Sequence, residues 1–574
     1  MSVHWRYSER RPENRSRRKR EVATRPIITV FPPRSRTSEV ATPFSLHRDA
    51  WDDFGFKTQY QLIYHGDGEE EETYIGNVKI LRKEQAETSR GVLPEGPLVR
   101  LGTEFCSLGQ TLDYYERMAA LPESTRAMVL RALRDVITRP RLLPSFRSER
   151  GWRTSVLRDI GNFDDYSSTA SVLLSKDYAS LADVSLKLEF KPRGWRKGIH
   201  LDFDNPSGDG NRSPMLHAFR LPKRVAIIVG RNGTGKSTLL ARFARVAHAP
   251  ERLRRTEPVR SLGRLRPRGV GFTRIIAISY SAFDSFQIPG VTVEEYRQIA
   301  RDVAEGTGRY IFCGLRDIAK ESQEALDSDQ AADDDLERPV GADDLVKKTL
   351  LKPIQQLAEE FVRNLERIRL LERASLLEDA LAPVLADPSF GGDASQSPSD
   401  VFGDDPRERF MRWSTGHKIV MQIVTSLVAY AQPKSIVLLD EPETHLHPPL
   451  LAALMHSVRI TLERLDAFAI VATHSPVVAQ ETLARHVHIL RRNGESSNVS
   501  SPKIETFGES IGEITDEIFG LNSEVTSFHD ILRRLVNRHE TLDAVEDQFD
   551  NGLSLQARAY VLSLLAENDD EEDE

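Results

Sequence analysis

Gly230-Arg231-Asn232-Gly233-Thr234-Gly235-Lys236-Ser237 concentrates more chemistry than any other stretch of this 574-residue chain. Its three glycines let backbone N–H groups turn inward around an anion, and a lysine and a hydroxyl follow at the spacing that cradles phosphate oxygens. The octapeptide follows an apolar strand, Arg224–Val229, and precedes a helical run, Thr238–Val246, whose N-terminus adds positive potential at the same point. Lys236 is placed to reach β- and γ-phosphates, Ser237 to ligate Mg²⁺, and Thr238 to complete the loop. The expected cofactors are ATP and Mg²⁺.

A second apolar strand, Ile436-Val437-Leu438-Leu439, ends in two adjacent carboxylates, Asp440 and Glu441. Asp440 suits the Mg²⁺ hydration shell, and Glu441 suits orienting or deprotonating the attacking water. Ser414-Thr415-Gly416 lies 26 residues before Asp440, counted from Ser414, and opens an apolar helix, Ile419–Ala431. Ser414 or Thr415 can cap that helix and Gly416 permits close backbone approach. The strand Phe468–Ala472 runs into Thr473-His474-Ser475-Pro476, with His474 34 residues beyond Asp440. Taken singly, a Ser-Thr-Gly cap and a strand-end histidine are common structural features. Their order behind a phosphate loop is what gives them a function.

In that order the motifs resemble those of the ABC-type ATPases. Ser414 and Gly416 match the signature, Asp440 and Glu441 the Walker B pair, and His474 the switch histidine. Gln287, after the strand Ile275–Ile278, falls where such proteins place the Q-loop glutamine. The resemblance implies two heads sandwiching two ATPs, each signature completing the other head's γ-phosphate site. One P-loop and one signature per chain then require a homodimer or a larger homo-oligomer. His445 and His447, with His474, offer either a metal trio or a loop facing the dimer partner.

Asp440-Glu441-Pro442-Glu443-Thr444-His445-Leu446-His447-Pro448-Pro449 is similar to the RecF/OLD-like branch of that group. Trp51-Asp52-Asp53-Phe54-Gly55-Phe56-Lys57-Thr58, Ser281-Ala282-Phe283-Asp284-Ser285-Phe286 and Glu505-Thr506-Phe507-Gly508-Glu509-Ser510-Ile511-Gly512, with Phe519-Gly520-Leu521, resemble PtuA-type ATPases of Septu and retron-associated anti-phage systems. That resemblance implies an HNH-type nuclease partner, encoded separately. Only 99 residues follow Ser475, with no evident acidic triad, so no nuclease site is expected in this chain. A RecF-like repair clamp closing directly on DNA is the alternative, and a nucleotide sensor that does not hydrolyse is a third.

The elements that must position these residues read as an α/β chain: an ABC-type head with a mixed sheet core and antiparallel β subdomain, a helical insertion and charged flexible termini. Residues 1–45, with eight Arg/Lys against two Glu in the first twenty, read as a basic arm. The first part of the head spans 46–289, with strands at Gln59–Tyr64, Tyr74–Leu81, Val184–Phe190 and Gly198–Phe203 and one helical stretch over 109–139. A helical insertion with acidic linkers occupies 290–405, the second part of the head 406–525, C-terminal helices 526–566 and an acidic tail 567–574.

The net charge of −8 excludes a wholly basic nucleic-acid coat. Seven arginines between Arg252 and Arg268 nonetheless make that segment a candidate phosphate-backbone contact. Two distant cysteines, Cys106 and Cys313, exclude a disulfide framework and a cysteine-ligated zinc. No apolar run approaches the ~20 residues of a membrane span, and the expectation is a cytoplasmic protein.

Overall fold

The computed structural model describes residues 25–33, 42–49, 53–66, 72–87, 92–178, 181, 186–203, 222–329, 348–390, 402–494, 496–520, 527–539 and 541–572. Most of the basic arm, Trp51, Asp52, the acidic linker after residue 329, the loop 391–401 and Leu521 lie outside them.

Five short apolar runs set the centre of the head. β9 (Val225–Val229), β11 (Ile275–Ser279), β12 (Tyr310–Gly314), β13 (Ile436–Asp440) and β14 (Phe468–Thr473) are buried at every position. Runs apolar on both faces belong in a parallel sheet covered on both sides. With β15 (Val487–Asn493) and β16 (Ser496–Ser500) they form a seven-stranded sheet in the order β12-β11-β13-β14-β9-β15-β16. All pairings are parallel except β15 with β16. Val225, Ile227 and Val229 pack one face against helices including Thr415–Tyr430 and Pro448–Arg464, while Ala226 and Ile228 pack the other against Lys236–His248.

Parallel pairing brings the strands' carboxyl ends to one edge. Val229 pairs with Thr473, Ala472 with Asp440, and Asp440 with Ser279. The phosphate loop, the carboxylate pair and the switch histidine therefore leave the sheet side by side.

Beside the head, β7 (Lys187–Pro192), β8 (Ile199–Asp202) and β10 (Gly263–Arg266) form a three-stranded antiparallel sheet. A six-stranded sheet has the order β5-β1-β2-β3-β4-β6, from β1 (Ile28–Phe31), β2 (Phe44–Arg48), β3 (Gln59–Tyr64), β4 (Thr73–Arg82), β5 (Gly96–Leu98) and β6 (Phe105–Gly109). Its helix Leu112–Ala120 joins the head through Asp113, which lies 2.8 Å from Arg309 and 3.1 Å from His248, and through Arg117, 3.1 Å from Asp302.

Four expectations are corrected. Residues 28–31 form a strand inside the stretch read as an arm, and Phe44–Arg48 begins in its last two residues, because β1 pairs with both β2 and β5. The stretch 109–139 is two helices, Leu112–Ala120 and Glu123–Ala132, since Pro122 has no N–H to continue the first and stands as N-cap of the second. Tyr310–Gly314, within the stretch read as helical, is the edge strand β12. The acidic tail does not begin as a separate segment, because the helix Leu555–Glu572 continues into it. No helix among the described residues is long and apolar enough to cross a membrane.

Candidate nucleotide-binding and hydrolysis site

The phosphate loop takes its shape from glycines where other residues would be strained or would collide. Gly233 and Gly235 sit at φ 78° and 91°, the left-handed region that L side chains rarely adopt. A Cβ on Gly230 would stand 2.4 Å from the Leu490 carbonyl oxygen on the neighbouring strand. Lys236 opens the helix Lys236–His248 with 4% exposure, its Nζ donating to the Gly230 carbonyl at 3.1 Å.

Ser237 Oγ donates to Asp440 Oδ1 at 3.0 Å. Asp440 is 2% exposed, and burial pushes its carboxyl up to about 7, against the hydrogen bond from Ser237. A buried carboxylate paired with a hydroxyl at the head of a phosphate loop is the donor set a hard divalent cation takes. The residues present therefore fit Mg²⁺, with Ser237 and Asp440 as its protein ligands.

Glu441 sits between the two cationic groups of the site. Its Oε1 is 3.6 Å from Lys236 Nζ and 3.6 Å from His474 Nδ1, ion-pair separations rather than hydrogen bonds. His474 first, and Lys236 after it, hold its carboxyl below the usual range against the opposing effect of burial, so it is ionised and able to accept a proton from water. Its backbone lies at φ 46°, and Glu441 N donates to the Ala472 carbonyl at 2.8 Å, which fixes that turn.

Glu443 was not singled out from the sequence, yet it positions the switch. Its Oε1 accepts from Thr473 Oγ1 and from His474 N, both at 2.7 Å, and lies 3.0 Å from His474 Nδ1. Glu441, and after it Glu443, raise the basicity of His474 against the effect of burial. The signal available in the sequence was a third carboxylate two residues after Glu441, beyond a proline.

The remaining expected residues fall in different places. Ser414 caps the helix Thr415–Tyr430 by accepting from His417 N at 3.3 Å, while Gly416 approaches the His445 carbonyl so closely that a Cβ would sit 3.1 Å away. The signature thus packs on the loop after the carboxylates. No hydrogen bond or ion pair among the described residues joins Ser414 to residues 230–237. Thr238 faces Ser285, Oγ1 to Oγ 3.4 Å. Gln287 Oε1 accepts from Arg245, nine residues beyond Lys236 on the same helix, at 3.4 Å. Ser285 is the side chain of that segment that meets the start of the helix, because Asp284 is anchored by the buried Arg316 at 2.7 Å. His447 accepts from Leu450 N at 3.3 Å as a helix cap, and no group of three metal-ligating side chains occurs among the described residues.

The arginine segment also divides. Arg254 is spent on the carbonyls of Ala249, Ala247 and Val270 at 2.8 to 2.9 Å, and burial lowers its guanidinium to about 10. Arg252 faces Asp159 at 3.6 Å. Arg264 and Arg266 point outward from β10.

Residues 225–479 match the family model described as "AAA domain, putative AbiEii toxin, Type IV TA system". Protein ea59 of Escherichia phage lambda is 29% identical over 531 residues, spanning 92% of this chain and 95% of that protein. Among solved structures, an SMC head bound to the C-winged helix domain of ScpA is 13% identical with a TM-score of 0.24, over 55% of this chain and 97% of that one. UvrA2 from Deinococcus radiodurans is 14% identical with a TM-score of 0.26, over 61% and 42%. Likenesses that distant carry no inference, and the site's geometry and the matched span stand without them. Residues 225–479, which hold the phosphate loop, the carboxylate pair and the switch histidine, are thus similar to an AAA-type ATPase domain, and their motifs stand in the ABC-type order.

Proposed function

We propose that this chain binds and hydrolyses ATP as a dimer and uses the closed and open states to regulate an HNH-type nuclease partner in a bacterial anti-phage system. One observation carries the catalytic part: Ser237, Asp440, Lys236, Glu441 and His474 meet at one strand edge, whereas Ser414 makes its side-chain bond to its own helix, at His417 N. Such a site has its metal ligands, base and switch but draws its signature from a second copy. Magnesium, when bound, neutralises charge on the β- and γ-phosphates. Lys236 and the loop's N–H groups hold the phosphates, Glu441 takes the proton of the attacking water, and His474, held by Glu443, fixes the base and faces the γ-phosphate.

The regulatory part is supported by the sequence segments that resemble PtuA-type ATPases. Affinity purification from the native host, with the co-purifying chains identified by mass, tests it. A stoichiometric HNH-type nuclease supports the proposal, and DNA with repair factors but no nuclease overturns it.

A second reading, an ATP-driven clamp acting on DNA, is favoured by one surface. Lys187, Lys191, Arg264 and Arg266 project from the three-stranded sheet, and Arg193 and Arg260 line an adjacent groove of about 550 Å³. Glu189, Glu257 and Asp202 offset these cations only in part. Stimulation of turnover by DNA alone, lost with rising salt, separates this reading from the first.

A further inference from the structure

Arg231, the second residue of the phosphate loop, reaches out of the loop. Its Nε donates to the Phe519 carbonyl at 2.8 Å and its Nη2 to the Gly520 carbonyl at 2.6 Å, with a further contact from Nη2 to Phe519. These carbonyls end the helix Ile511–Phe519, which closes at Gly520 in a left-handed turn, φ 58°. The last carbonyls of a helix have no partner within it and carry its negative dipole end, so a guanidinium there is a favourable cap.

The same helix is tied to the switch side of the site. Gln480, at the end of the helix Pro476–Gln480 that starts two residues after His474, donates its side-chain amide to the Glu509 carbonyl at 2.7 Å. Gly508 N donates to the Gln480 carbonyl at 2.9 Å. Ile514 and Ile518 anchor the helix in the head's core. Beyond Gly520 the chain enters the helices Ser527–Val536, Leu542–Glu546 and Leu555–Glu572, which build their own small core from Leu532, Val536, Val545, Val561 and Leu564.

We infer that Arg231 is a latch that couples nucleotide binding in the phosphate loop to the C-terminal end of the helix Ile511–Phe519. The inference rests on the reading that this loop binds ATP. A carbonyl is a neutral acceptor, whereas a phosphate oxygen is charged and its hydrogen bonds with a guanidinium are about twice as strong. A triphosphate in the loop competes for the Arg231 fork and draws it from Phe519 and Gly520. The end of the helix Ile511–Phe519 then loses its cap and loosens at Phe519 and Gly520. Coupling is reciprocal, so restraint of that helix end by a partner weakens ATP binding by the same factor.

Hydrogen exchange on the full-length chain tests this, with Mg²⁺ and a non-hydrolysable ATP analogue as probe and nucleotide binding followed separately by titration. In the wild type, amides of 511–520 are expected to exchange about five-fold faster or more with the analogue, the factor of one hydrogen bond of ordinary net strength. Arg231→Ala and Arg231→Lys, checked for folding by their thermal transitions, are expected to exchange fast without nucleotide and to change no further. Lys236→Ala, which keeps the latch but loses phosphate binding, is expected to stay slow throughout. Wild type that binds the analogue with unchanged exchange over 511–520 overturns the latch and leaves the ATPase reading standing. So does Arg231→Ala exchanging as slowly as wild type. Failure of the wild type to bind the analogue at all overturns both.

Discussion

Ser237 and Asp440, 203 residues apart in the chain, are joined by a 3.0 Å hydrogen bond from hydroxyl to carboxylate. The helix after β9 and the end of β13 meet there, one strand apart across β14. Asp440→Asn is expected to lower Mg²⁺-dependent phosphate release by about 100-fold or more, because it removes the only buried charge offered to the cation by that strand. Steady-state phosphate release across a Mg²⁺ titration checks it, and an unchanged metal requirement would place the ligand elsewhere.

Glu441→Gln keeps the side chain's shape and removes the base. ATP binding is expected to persist while turnover falls by roughly 10² to 10⁴, the range of general-base catalysis. Closed dimers should then accumulate with ATP and be visible by light scattering. Normal turnover in this variant would remove Glu441 from the role of base.

Glu443→Ala takes away the two bonds at Thr473 Oγ1 and His474 N and the carboxylate 3.0 Å from the His474 ring. Loss of that positioning is expected to lower kcat by 10-fold or more, since catalytic groups displaced by ~1 Å can cost about 10². KM for ATP should change little, because Glu443 is set to touch the switch and not the phosphates. Glu443→Gln, which still accepts both bonds, is expected to recover part of the rate.

Ser414→Ala is expected to bind ATP but not hydrolyse it, and Lys236→Ala to bind none. Mixed in equal amounts, the two should recover measurable turnover, because a mixed dimer holds one site with an intact loop and an intact signature. Mixtures no more active than the better variant alone would mean that each head completes its own site.

Asp113 lies buried between Arg309 and His248, at the joint between the six-stranded sheet and the head. Burial alone would raise its carboxyl, but Arg309 and His248 overrule it and hold it far below the usual range. A depressed carboxylate contributes stability above its unfolded value of ~3.9 and loses it as pH falls below that. Asp113→Asn is expected to cost about 3–5 kcal/mol at pH 7, by leaving Arg309 buried without its charge partner. The cost should shrink as pH is lowered through 4, read from urea midpoints of wild type and variant.

Where the chemistry is local, it was legible in the chain. The octapeptide Gly230–Ser237 needs only its own glycines and the flanking strand and helix. Asp440 and Glu441 stand at the end of a strand recognisable by its apolar run, and Ser414 caps the helix the sequence offered it. What depended on pairing between distant segments was not legible. Tyr310-Ile311-Phe312-Cys313-Gly314 is as consistent with a buried helix as with a strand until Ile275–Ser279 lies beside it. β1 is four residues long, and only its neighbours β2 and β5 give its backbone groups partners.

Side-chain direction was hidden for the same reason. Nothing near Gln287 announces that it turns to Arg245, or that Arg254 is consumed by three carbonyls while Arg264 and Arg266 face outward. Motif spacing fixes which residues can reach a phosphate along the chain. Which of them do so, and that Glu443 and Arg231 reach across to His474 and Phe519, is decided only when the parallel strands bring their ends to one edge and burial leaves each polar group a single set of partners.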